Sequence, residues 1–157
     1  MADNLLWLAN EWYQGKKLIV WAASFHTMRE PQGIDTNSDS FDYHGTVSMG
    51  QAFHAKGGQD LYSIAFTSYE GTQGILWRSF DVPPSEPGSL DWLCHDAGHP
   101  YLFIDFRALP NEHWLRAPVV ARALGYSYMR ANWPRHFDAM IYIERMFPST
   151  SEGQPAK

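Results

Sequence analysis

Residues 16–26, Lys16-Lys17-Leu18-Ile19-Val20-Trp21-Ala22-Ala23-Ser24-Phe25-His26, constrain the fold more than any other stretch. Two lysines give way to an apolar run that stops at small and polar residues. Too short for a core helix, such a run predicts a strand buried on both faces, and strands of that type belong to parallel sheets covered by helices. His26 stands just beyond its end. Ligands of open α/β sheets bind beyond the C-terminal ends of the strands, so chemistry is sought there first.

Before this run, Asp3 or Asn4 is placed to cap a helix through Tyr13, with Leu5, Leu8 and Trp12 on one face and Gly15 as its stop. Helix then strand is the second half of a βαβ unit, so the chain is expected to begin inside a longer fold. Residues 29–45 form a long polar loop, of a length usual for lids and binding loops. A helix is predicted over Val47–Ala55, stopped by Gly57-Gly58, and a second strand over Leu61–Tyr69, ending at Glu70-Gly71-Thr72. Ile75–Phe80 reads either as a short strand or as ordered loop. Ser89 caps a helix to Ala97, which Gly98 and Pro100 prevent from continuing. Tyr101–Phe106 is a third strand and Phe137–Ile143 a last one. Between them residues 108–133 stay open, with a helix near Ala117–Leu124 as one reading. One domain is expected over 1–147, followed by a disordered polar tail, 148–157. The predicted architecture is α/β, a mainly parallel sheet flanked by helices.

The 157 residues suit one domain, a 45% hydrophobic content supplies ample core material, and a 15% aromatic content suits either a large core or an apolar cleft. A net charge of −5 without a basic run beyond Lys16-Lys17 argues against nucleic acid. The single cysteine, Cys94, excludes an internal disulfide and fits a reducing compartment. No stretch approaches the roughly 18 apolar residues of a membrane span, and Asp3 and Glu11 interrupt the N-terminal apolar residues, so no signal peptide is read there. A cytoplasmic location without membrane contact is expected.

If the strands run parallel, their ends bring His26, Glu70 and Arg107 to one edge. A histidine takes a proton from water, a carboxylate orients it, and an arginine steadies the developing oxyanion, which suits hydrolysis without a metal. The same residues would equally cap strands or form surface ion pairs, and spacing alone favours that plainer role. Arg29, His44 and Thr72 are candidate substrate contacts, His44 through the long loop. His95 and His99 stand four apart as on a zinc-binding helix, but Gly98 and Pro100 end the helix there and Asp96 replaces the usual Glu. No metal and no cofactor is therefore expected. Ser48, in Gly45-Thr-Val-Ser-Met-Gly50, does not follow a strand as a nucleophile elbow would, and reads as a helix-start residue.

Taken in order, Leu18-Ile-Val-Trp-Ala followed by His26, Met49-Gly50 opening a helix, Tyr69-Glu-Gly-Thr72, Asp105-Phe-Arg107 and Phe137-Asp-Ala-Met-Ile resemble the erythromycin esterase family, whose members also carry the name succinoglycan biosynthesis protein. The resemblance runs from Ala2 to Glu144. It implies macrolide-lactone hydrolysis by an activated water, hence antibiotic resistance, for members that are true esterases. It also implies that the chain corresponds to the C-terminal part of a longer protein, without the half that carries the general-base histidine and its glutamate. The family's strand-end loop reads Trp-Ala-His-Asn-x-His, where this chain has Trp21-Ala22-Ala23-Ser24-Phe25-His26. Ala23 replaces the first histidine and His26 keeps the second. An ester or lactone hydrolase of doubtful activity by itself follows, with three alternatives or companions: a non-catalytic binding or remnant domain, one half of a split enzyme completed by an N-terminal half, and self-association.

Overall fold

The computed structural model describes residues 1–39, 41–57, 61–75 and 78–149. Helix α1, Ala2–Trp7, continues as a single π-helical turn over Leu8–Trp12. No side chain caps it; Asp3 instead pairs with Lys56 at 2.7 Å. Residues 16–23 then run without regular structure into the short helix α2, Ser24–Thr27. Helix α3, Met49–Gly57, opens after Ser48, whose hydroxyl accepts the Gln51 N–H at 2.9 Å, as a helix-start residue does.

Strands β1, Ile64–Ile75, and β2, Arg78–Val82, form an antiparallel pair. Helix α4, Leu90–Asp96, begins where Ser89 Oγ accepts the Trp92 N–H at 3.2 Å, and strand β3 follows at Tyr101–Asp105. A 3-10 turn, Trp114–Arg116, leads into the small hairpin of β4, Val119–Ala121, and β5, Met129–Ala131. The helix considered near Ala117–Leu124 is absent, because Pro118 keeps Ala117 extended and Val119-Val120 are β-branched. Helix α5, Trp133–His136, and strand β6, Ala139–Met146, complete the order. Residues 150–157 of the expected tail lie outside the described residues.

The main sheet has the order β2-β1-β6-β3. Its only parallel pair among the described residues is β1 with β6; β2 and β3 are both antiparallel to their neighbours. The fold is thus mixed α/β with a mostly antiparallel sheet, which corrects the mainly parallel arrangement. That expectation assumed a helical crossover between successive strands. Instead the strand that follows β1 in the chain, β2, pairs antiparallel with it, and β3 enters beside β6 from the opposite direction.

The run 18–22 is corrected too. It is no strand, and Ile19 is 95% exposed and Trp21 84%. Strand β2 pairs only with Gly71–Ile75, so Ile64–Ser68 have β6 on one edge and no strand on the other among the described residues. The run passes near that edge, with Trp21 against Phe66 at 5.4 Å, separated elsewhere by an apolar groove of about 1260 Å³. An apolar run specifies a strand only when a neighbour offers it a hydrogen-bonded ladder. The core lies on the other side of the sheet, where Ala65, Met140 and Tyr142 pack with Leu90, Cys94, Leu115, Met129 and Trp133.

Candidate functional site

The turn that carries His26 is held from three sides. Ser63 Oγ, just before β1, donates to the Thr27 carbonyl at 2.6 Å, Ser48 Oγ donates to the Met28 carbonyl, and the Arg29 N–H donates to the His136 carbonyl at 2.9 Å. Gly50 lies directly beneath: a Cβ there would collide with the Thr27 and Met28 carbonyl oxygens. A glycine in α3 is what lets the α2 backbone approach so closely.

From this turn Phe25 stacks on Tyr43 at 5.3 Å and meets His26 edge-on at 5.4 Å. Phe25 and Tyr43, with Ala23, Ser24 and Phe66, form one wall of a cavity of about 420 Å³, and residues 122–126 form the other. Arg122 is the cation of that second wall. It is buried, donates to the carbonyls of Pro83, Ser68 and Tyr69 and to the Ser85 hydroxyl, and lies under the Tyr128 ring. Its Nε is buried without a hydrogen-bond partner among the described residues. Behind it, Asp91 accepts the Arg122 N–H at 3.1 Å and the Thr67 hydroxyl. Burial pushes the Asp91 carboxyl up, against the opposing pull of Thr67 and Arg122. Tyr126, in the left-handed region at φ 62°, has its phenol pushed up by burial. A cavity with an aromatic wall and a buried guanidinium suits an apolar ligand bearing a carbonyl or carboxylate oxygen.

The residues singled out from the sequence do not converge there. His26 follows the cavity-lining Phe25 and is half-buried, without lining the cavity itself. Glu70 pairs with Arg145 across β1 and β6. Arg107 lies at the other end of the sheet. Its Nε donates to Asp138 at 2.6 Å, its guanidinium to the Leu61 carbonyl at 2.7 Å, and it covers the Tyr62 ring. The Asp138 carboxylate pushes the Arg107 pKa further up. Because β3 is antiparallel to β6, its C-terminal end meets the N-terminal ends of β1 and β6, which separates Arg107 from Glu70. Arg29 does join Arg107: both bind Asp138, Arg29 at 2.9 Å, and Arg29 also donates to the Pro134 and Phe137 carbonyls. His44 is exposed, its N–H donating to Asp42, and Thr72 lies in the hairpin opposite Asp81.

Sequence reasoning missed Asp138, Arg122 and Asp91. One signal was available: Asp138 and Arg122 each stand alone inside an apolar run, and a charge buried that way needs partners. Elsewhere His95 stacks flat on Tyr69 at 3.7 Å and pairs with Glu144 at 2.8 Å. Among the described residues no three His, Cys, Asp or Glu side chains are grouped to hold a metal, and no helix is long and apolar enough to cross a membrane.

Curated proteins and solved structures, among them the following, are similar over most of this chain. The Bacillus subtilis (strain 168) protein "Putative hydrolase YbfO" is 28% identical over 156 residues, covering 95% of this chain and 34% of that protein. The Escherichia coli protein "Erythromycin esterase type II" is 27% identical, covering 92% of this chain and 35% of the relative. A crystal structure of a succinoglycan biosynthesis protein superposes with a TM-score of 0.69 at 21% identity, over 92% of this chain and 36% of that one. A Bacillus cereus protein structure gives a TM-score of 0.60 at 18% identity, over 83% and 34%. The two structures share the fold, and the chain spans about a third of the length of the curated relatives it matches. The family model of erythromycin esterase matches residues 1–146. The chain belongs to the erythromycin esterase family.

Proposed function

We propose that this chain forms part of an ester- or lactone-hydrolase site that works by activating water without a metal, with His26 as its retained histidine. The observation that carries this reading is the family match over residues 1–146. Support comes from the cavity beside His26, whose aromatic wall and Arg122 suit an apolar ester such as a macrolide lactone. A general base acts only when held within hydrogen-bond reach of its water and oriented by a partner. Here Ala23 takes the place of the first histidine of the family loop. Glu70 and Arg107, each engaged with another residue, stand away from the cavity.

Hydrolysis by the 157-residue chain alone is therefore expected to be negligible, lower by at least a few powers of ten than an intact site would give. Incubation with erythromycin and mass spectrometry for the water-added product tests this. Turnover at enzymatic rates that His26→Ala abolishes would show that the chain is catalytically complete. A non-catalytic binding domain is the second reading, favoured by the separation of His26 from the cavity lining. Calorimetric binding of erythromycin without turnover, weakened by Arg122→Met, would select it.

A further inference from the structure

Among the described residues the outward face of the main sheet is covered over β1, where Trp21 packs on Phe66 and Ser68 is buried, but lies open over β3, where the side chains are those of an interior. Register places Phe103, Ile141 and Phe66 in one row across β3, β6 and β1, and Tyr101, Ile143 and Ser68 in the next. Trp21 extends the first row by packing on Phe66. Phe103 is 57% exposed and Tyr101 71%, whereas Leu102 and Ile104, which alternate with them, pack on the core. A sheet with one solvated face normally carries polar residues on that face. This one has apolar residues at its centre and charges only at its two ends. The Glu70–Arg145 pair lies beyond Ile143, and Asp105, with Tyr62 and Arg107, lies beyond Phe103. An apolar centre with a polar rim is the anatomy of a protein interface, and so large an apolar exposure is rare on a solitary soluble domain.

We infer that this face, with the exposed run Leu18–Trp21, is the docking surface for a polypeptide equivalent to the remaining length of a family-sized chain, which lays an apolar layer across β3 and β6. What favours this occupant is length. In each relative and neighbour compared, the matched segment is only 34–36% of the whole, so this third occurs packed within a much longer chain. Two-sided apolar strands call for helices on both faces of the sheet, and the outward side of β3, with Tyr101 and Phe103 exposed, has none among the described residues. Glu70 and Arg107 then mark opposite rims of the covered area. The inference rests on family membership and the sheet geometry, and not on the proposed hydrolysis.

The test is association in trans, read without any activity. This chain is co-expressed with the part of the E. coli erythromycin esterase type II outside the matched segment, and the purified material is analysed by size exclusion with light scattering. A 1:1 complex is expected, weakened at least tenfold by Phe103→Lys and by Ile141→Glu. Val47→Lys, an exposed position away from the sheet, should leave it unchanged. Thermal melts of the uncomplexed chain check that Phe103→Lys, at an exposed side chain, does not unfold it. Absence of a complex would overturn the inference, as would a complex indifferent to both sheet variants. A homodimer of this chain dissociated by Phe103→Lys would also overturn it, assigning the face to a second copy.

Discussion

Asp138 accepts three charged or backbone donors inside the protein: the Ser63 N–H at 2.7 Å, Arg107 Nε at 2.6 Å and Arg29 at 2.9 Å. A buried carboxylate is stable only when so enclosed, and removing it would strand the mostly buried Arg29 without a counter-charge. Asp138→Ala is expected to cost about 3–5 kcal/mol, measured by urea unfolding; a loss below about 1 kcal/mol would show that solvent already screens both arginines. His136 offers a pH test. Its Nδ1–H donates to the Glu30 carbonyl while Arg29 and Arg135 face the ring, and burial pushes its pKa below the ordinary 6.5. The unfolded imidazole therefore protonates first as pH falls. Its contribution to stability is complete above about pH 6.5 and is lost as the pH drops through the folded value. The melting temperature should fall between about pH 7 and about pH 5, and His136→Gln should flatten that dependence; superimposable pH curves would refute the assignment.

Among the elements, those with strong local punctuation matched their sequence reading. Helix α4 begins at its Ser89 cap and stops before Gly98, and β3 and β6 fall within or beside the predicted runs. Strand β1 shows where punctuation misleads. Gly71 suggests an end to the strand, yet β1 continues to Ile75. The glycine is required because φ is 131° there and a Cβ would collide with the Met146 backbone on β6. Gly71→Ala is expected to destabilise by at least about 2 kcal/mol from strain and overpacking together. Chemical denaturation decides this, and an unchanged midpoint would mean that β6 can move away.

At the scale of the whole molecule, the aromatic side chains of β3 and the run 18–21 remain in solvent. Phe103→Lys should raise the concentration at which light scattering detects aggregates, with little change in melting temperature, because the side chain is already mostly exposed. Equal aggregation of both proteins would place the association elsewhere. The residue order by itself determined the family, the capped helix α4 and the existence of strands β3 and β6, although β3 is open on one side where the sequence predicts burial. These depend on contacts between near neighbours or on a pattern that any α/β core imposes. Only the tertiary structure decided strand direction, and with it that Arg107 and Glu70 stand at opposite ends of the sheet. It also decided that Arg29 and Arg107 share Asp138, and that Leu18–Trp21 is not a strand. Those outcomes rest on partners distant in the chain. An apolar run records that it needs a neighbour, but not whether one is there to supply the hydrogen bonds.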